Sequence, residues 1–245
     1  MLGMIRSLLV IGLLGCAGLL APAYAAAVEP LVLSSEQRAW LDQHRQLRVG
    51  VVVQAPFVQF DRRLQQLSGL NVELMTWLAS ALQVELVWQQ YADQAALETA
   101  VRKGLVDLAP GLSQTPAGLR LWLYSDPYMR VPQLLVGARN GGTAVELEQL
   151  SPIEPVAVRM PSVVADYLRG TYLNLSLQGV SGERQALRQV LSQQVRYAVI
   201  DEAQFSRLAR ESEFAELAVV ADIGLPQLLR VASRRDWPQL SGLID

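Results

Sequence analysis

The chain has 245 residues, 51% of them apolar and 18% charged, which is enough for a substantial core and a poor match to disordered or fibrous composition. With 21 basic against 23 acidic side chains, its formal charge of −2 lacks the positive excess that phosphate neutralisation demands of a nucleic-acid binder. A single cysteine, Cys16, and a single histidine, His44, argue against Cys–His nucleophiles, a Ser–His–Asp relay and zinc sites. No metal or cofactor is expected, and His44 reads as a solvated side chain on a polar helix.

The N-terminal stretch reads as an address. Arg6 precedes the apolar run Ser7 to Leu20, and Ala23-Tyr24-Ala25 follows it. One positive charge, a short greasy segment and a small-x-small end make a secretory signal over 1–25, cleaved after Ala25. The run is shorter than the ~20 residues of a membrane span. Leu13-Leu14-Gly15-Cys16 also resembles a lipoprotein box that would lipidate Cys16, but leucine before the glycine fits that box weakly and the Ala25 site competes with it. Cleavage at Ala25 removes the cysteine, which suits an oxidising compartment.

From Leu33 onward helices and strands alternate. Leu33 to Leu41 opens as a helix capped by Ser34 or Ser35. Leu47 to Val53 is a β-branched, apolar run, as in a strand buried on both faces. Val72, Met75, Leu78, Ala79 and Leu82 make a helical stripe across 71–82. Val84 to Trp88 alternates as a strand, 94–103 is a helix stopped by Gly104, and Val106 to Ala109 is a further strand.

The pattern then restarts. Strands at 156–158, 175–180, 197–200 and 217–220 alternate with helices at 162–168, 183–191 and 202–209. Tyr128 to Gly137 and the polar stretch 138–143 separate the two modules. Leu228 to Ala232 is too little for a domain and is expected to return to the first sheet. The division is a lead-in helix over 26–46, lobe one over 47–137, lobe two over 138–224 and a return to lobe one over 225–245. The fold class is α/β, with two mixed, mostly parallel sheets flanked by helices and joined by two hinge strands. Ligands of open α/β sheets sit beyond the carboxyl ends of the strands, and two lobes on two crossings can hinge shut.

Several segments resemble the bacterial extracellular solute-binding protein family 3, the two-lobed Venus-flytrap receptors. Leu47-Arg48-Val49-Gly50-Val51 with Ala55-Pro56-Phe57 is similar to the family's opening strand and its proline-aromatic turn. Ser68-Gly69-Leu70-Asn71, Gly104-Leu105-Val106-Asp107, Ser113-Gln114-Thr115-Pro116, Tyr124-Ser125-Asp126-Pro127-Tyr128 and Ala198-Val199-Ile200-Asp201 follow in the family's order. The likeness runs from Leu33 to the end. The lead-in helix with His44 resembles that of hybrid sensor kinases and membrane-bound lytic transglycosylases, and Trp237-Pro238-Gln239-Leu240 resembles the start of the family's closing helix.

The resemblance implies a type II periplasmic-binding-protein fold with its site in the cleft. In amino-acid-binding members an arginine three residues after the threonine of the Thr-Pro segment clamps a carboxylate. Gly118 stands there, and Arg120 is the candidate replacement, or else a surface charge beside Trp122. Asp201 fits the position that accepts from a ligand ammonium and would equally cap the helix beginning at Glu202. Ser162 begins a helix whose N-terminus suits an anion, although Pro161 removes one donor. Ser113 adds a hydroxyl and Gln54 a polar side chain from lobe one, while Phe57 shapes the wall or fills the core. The cleft reads as less charged than that of a cationic amino-acid receptor.

The leading function is a periplasmic, monomeric, non-catalytic protein that closes on a small polar solute, amino-acid-like or a small organic acid. It would deliver that solute to a membrane permease or report it to a membrane sensor. The second reading is the flytrap module of a signalling system, in one version degenerate and without a solute ligand. An enzyme is the third, because a few relatives act as dehydratases with a cleft carboxylate; Asp201 or Glu202 would serve, but no paired acid and base are visible.

Overall fold

A computed structural model describes residues 32–139 and 145–244. The signal over 1–25, its cleavage site and Cys16 lie outside the described residues. The first helix, α1 (Ser35–Gln43), starts on a reciprocal cap: Gln37 N–H donates to the Ser34 hydroxyl at 3.1 Å, and Ser34 N–H donates to the Gln37 side chain at 2.9 Å. After it come β1 (Gln46–Val52), the hairpin β2 (Gln59–Asp61) and β3 (Gln66–Ser68), α2 (Leu70–Leu82), β4 (Glu85–Tyr91), α3 (Gln94–Arg102), β5 (Leu108–Leu112), β6 (Trp122–Tyr124) and β7 (Met129–Val131). The second half runs β8 (Gln133–Ala138), β9 (Val156–Arg159), α4 (Val163–Thr171), β10 (Leu177–Val180), α5 (Glu183–Leu191), β11 (Tyr197–Asp201), α6 (Glu202–Leu208), β12 (Leu217–Asp222), β13 (Gln227–Arg234) and α7 (Pro238–Ile244).

Two lobes result. The first sheet has the order β4-β1-β5-β13-β6, with β7 also pairing β13; β1 is parallel to β4 and β5, and β13 is antiparallel to its neighbours. The second has the order β10-β9-β11-β8-β12, parallel among the first three and antiparallel around β8. The chain crosses between them twice, at Pro132 and again between β12 and β13. The late strand does rejoin the first sheet, as a lone strand must to find hydrogen-bond partners.

The sequence division counts 133–137 with lobe one, whereas β8 lies in the second sheet between β11 and β12. The run Leu134-Leu135-Val136 is almost fully enclosed, and only the middle of a sheet covers both faces of such a strand. His44 also departs from expectation. It is not a free surface side chain: its ring stacks on Trp40 at 3.9 Å, Trp237 meets it edge-on at 4.6 Å, and Arg234 lies over Trp237 at 4.5 Å. This cluster ties α1 to the end of the chain.

Lobe one keeps its parallel strands close to α3 through Gly50. A Cβ there would stand 2.5 Å from Leu97 Cδ1 and 2.9 Å from Val106 Cγ1. Gly50→Ala is therefore expected to destabilise by about 1–3 kcal/mol, the cost of an overfilled core. A urea midpoint that does not fall would show that α3 yields without strain.

Candidate functional site

Between the lobes lies a cavity of about 230 Å³ bounded by residues of both sheets, flanked by two further pockets of about 620 and 320 Å³ that also draw on both lobes and share Gln54, Arg159 and Glu183, or Ser113 and Val163, with it. Lobe one contributes Gln54 after β1, Ser113 after β5, Tyr124 at the end of β6, and Gln94 and Glu98 along α3. Lobe two contributes Gln133 at the start of β8, Asp201 at the end of β11, Arg159 at the end of β9, and Ser162 and Glu183 beside the helix starts. Strand ends bring these groups together because each helix must leave its sheet there.

Asp201 is 7% exposed and caps α6, accepting from Gln204 N–H at 2.8 Å. The cap was one of its two sequence readings, and the same side chain also lines the cavity. Burial pushes its carboxyl up to about 6, and the Glu183 charge adds to the rise. Glu183 is itself 3.5 Å from Arg159. Ser162 caps α4, accepting from Ala165 N–H at 3.1 Å and donating to Arg159 O at 2.7 Å, so its hydroxyl is already committed at the cavity edge. Ser113 and Gln54 line the cavity, and the Ser113 hydroxyl is buried without a hydrogen-bond partner among the described residues.

Two of the sequence candidates are elsewhere. Phe57 is a core residue near the crossings, packed with Val131 and Leu229; it does not line the cavity but borders an adjoining pocket of about 80 Å³ in lobe one that shares Gln54, Gln94, Gly111 and Leu112 with it. Arg120 is exposed at the end of a 3-10 turn, Gly118–Arg120, whose Gly118 is buried, and is not among the cavity-lining residues. An extended segment would have returned position 120 to the face of position 118, but a 3-10 turn does not. A Cβ at Gly118 would meet the Tyr124 hydroxyl, so the tip of that side chain occupies the space beside position 118 and would have to shift for a larger residue there. Burial, reinforced by Glu98, pushes the Tyr124 hydroxyl up to about 12, so it remains a neutral donor.

Sequence reasoning missed Gln133, Tyr124, Glu98, Glu183 and Arg159. Gln133 had a usable signal: a glutamine opening the enclosed strand Leu134-Leu135-Val136 must be buried, and a buried amide needs a partner. Glu98 had none, since it sits on a helix whose polar face looks ordinary. Glu202, the other carboxylate considered for catalysis, is exposed and does not line the cavity. Among the described residues no group of three His, Cys, Asp or Glu side chains could hold a metal ion.

The model of the bacterial extracellular solute-binding proteins, family 3, matches residues 47–243. The chain belongs to that family. Its fold is similar to the VFT2 domain of Bordetella pertussis BvgS in a double-mutant form, with a TM-score of 0.76 at 21% identity over 88% of this chain and 91% of that one. It is also similar to a histidine kinase sensor domain with similarity to periplasmic binding proteins, at TM-score 0.71 and 24% identity over 83% of this chain and 88% of that one. A truncated, arginine-bound ArgBP from T. maritima aligns at TM-score 0.68 and 19% identity, covering 84% of this chain and 96% of that one. No curated protein sequence matches the chain. Family 3 membership makes the protein a solute-binding or sensory flytrap domain, and among the described residues no helix is long and apolar enough to cross a membrane.

Proposed function

We propose that this family 3 protein is a periplasmic, non-catalytic receptor that closes its two lobes on one small polar solute. The observation that carries the reading is the cavity between the lobes, to which each lobe presents buried polar groups that the fold leaves without partners: Ser113 from the first and Gln133 from the second. Buried donors and acceptors are normally satisfied, so their convergence on one small space calls for an occupant. A ligand touching both walls binds the closed arrangement better than the open one, and that difference is what drives closure. The protein acts as a monomer that hands the solute to a membrane permease or reports it to a membrane sensor.

The polar groups on both walls suit an amino-acid-like solute, and the carboxylates among them weigh against a small organic acid. A sensory role is supported by α1, whose sequence resembles the lead-in of sensor-kinase flytraps and which packs through Trp40 against Trp237, next to α7. Neighbouring permease and ATPase genes would favour transport, and neighbouring kinase or cyclase genes would favour sensing.

The test is a melting-temperature screen against amines, amino acids and dicarboxylates, combined with small-angle scattering. A ligand at about 100 times its Kd should stabilise the folded state by ~2.7 kcal/mol, raising Tm by about 5–10 °C, and should shrink the radius of gyration. Unchanged melting and scattering with every compound would remove the receptor reading.

A further inference from the structure

The charged side chains lining the cavity are Glu98, Glu183, Asp201 and Arg159. Carboxylates therefore outnumber the one guanidinium, and that guanidinium already faces Glu183 at 3.5 Å. Glu98 has an exposed partner, Arg102, at 3.5 Å outside the cavity, whereas Asp201 forms no ion pair among the described residues. At position 118 lobe one carries a glycine, and the neutral Tyr124 hydroxyl lies beside it and lines the cavity.

Gln133 adds the decisive detail. It is 3% exposed, its amide nitrogen has no hydrogen-bond partner, and it pairs in register with Asp201 across β8 and β11. Directly paired residues on adjacent antiparallel strands project to the same side, about 5 Å apart. A ligand atom accepting from Gln133 therefore sits beside the Asp201 carboxylate, where a negative charge is repelled and a neutral oxygen is not. The buried Ser113 hydroxyl offers a further neutral contact from the opposite lobe.

On the reading that this cavity captures a solute, we infer that the solute is a small amine whose other polar groups are neutral acceptors, its ammonium on Asp201 and its amide or hydroxyl oxygen on Gln133. The competing occupant is a zwitterionic amino acid, whose carboxylate would have, among the groups lining this cavity, only the α4 start and Arg159, itself 3.5 Å from Glu183, to neutralise it.

Matched pairs separate the two. Calorimetry at pH 7.5 with L-glutaminamide against L-glutamine, and L-alaninamide against L-alanine, should give at least tenfold tighter binding of the amides, with no heat from succinate. Gln133→Leu, which fills the same buried place without a donor, should weaken amide binding about tenfold, and Asp201→Asn about a hundredfold or more. Melting curves of the ligand-free variants establish that both remain folded. Tighter binding of the free amino acids or of succinate overturns the amine assignment and leaves solute capture standing. Amide affinity unchanged in Gln133→Leu also overturns it. No heat and no melting change with any of the five compounds removes the assignment, and identical scattering with and without them removes the capture reading with it.

Discussion

Asp107→Ala is expected to cost about 3 kcal/mol of stability, more than any other single truncation in lobe one outside the apolar core. Asp107 is 1% exposed and accepts from the Arg48 backbone N–H at 2.9 Å, from Arg48 Nε at 2.9 Å and Nη2 at 2.6 Å, and from Arg234 Nη1 at 3.2 Å. Its own backbone completes the staple, donating to Arg48 O at 2.8 Å and accepting from Arg234 N–H at 3.0 Å. One carboxylate thus holds β1, the entry to β5 and the returning strand β13 together. Removing one partner of a buried ion pair usually costs about 3–5 kcal/mol because the other charge is left stranded. The lower end applies here, since Arg48 is one-third exposed and Arg234 keeps Asp236 at 2.6 Å.

The same contacts set a pH signature. Burial alone would raise the Asp107 carboxyl, but the hydrogen bonds and charge of Arg48, with help from Arg234, hold it below the usual carboxylate range. The unfolded chain therefore takes up the proton first as pH falls. The stabilisation is complete above the ordinary carboxylate pKa of about 3.9 and is lost as pH drops through the lower folded value. Urea midpoints at pH 7 and pH 3 should show Asp107→Asn losing stability at the first and approaching the wild type at the second. Equal midpoints at pH 7 would mean that β13 needs no ionic tie to lobe one.

Local pattern made most of this architecture legible. The apolar run at 47–53, the stripe at 71–82 and the alternation after 156 yielded β1, α2 and the second βα series, because each is governed by burial of neighbouring side chains. Topology was legible at Leu228 to Ala232 for a different reason, namely that a single strand must pair somewhere. What escaped was set by contacts distant in sequence. The hairpin at 59–68 has charged and glutamine-rich strands with little apolar signal, and Gln133–Ala138 gives no hint which sheet it joins until Val199 and Val219 are known to flank it. The site divided in the same way. Asp201 and Ser162 were readable because a strand end or helix start fixes where they point. Arg120 was misplaced because its position depends on whether residues 118–120 extend or coil, and the Tyr124 hydroxyl filling the space at Gly118 is invisible in one dimension.

Asp201→Asn should separate the cost of the cleft from its use. In the folded protein this carboxyl titrates at about 6 against 3.8 for an unperturbed one, because burial disfavours its charge and Glu183 repels it more than Arg159 attracts it. Between those two values the native state holds a proton that the unfolded chain has released. Stability from this group is therefore greatest below pH ~4, declines as pH rises to about 6, and stays at its reduced level above. At pH 7 the ionised side chain costs about 2–3 kcal/mol, at 1.36 kcal/mol per pKa unit. Asparagine caps a helix as well as aspartate does, so the bond from Gln204 N–H survives while the charge does not. The empty variant should thus be more stable than the wild type by about that amount at pH 7 and nearly equal to it at pH 4. Binding should move the opposite way: an ammonium needs the ionised partner, so wild-type affinity for an amine should climb as pH rises towards 6 and then level, whereas the variant binds weakly throughout. A residue whose removal strengthens the fold and abolishes capture is kept for its ligand. If Asp201→Asn instead lowers the urea midpoint at pH 7, the carboxylate is a structural anion and the lobe-two anchor must be sought in Glu183.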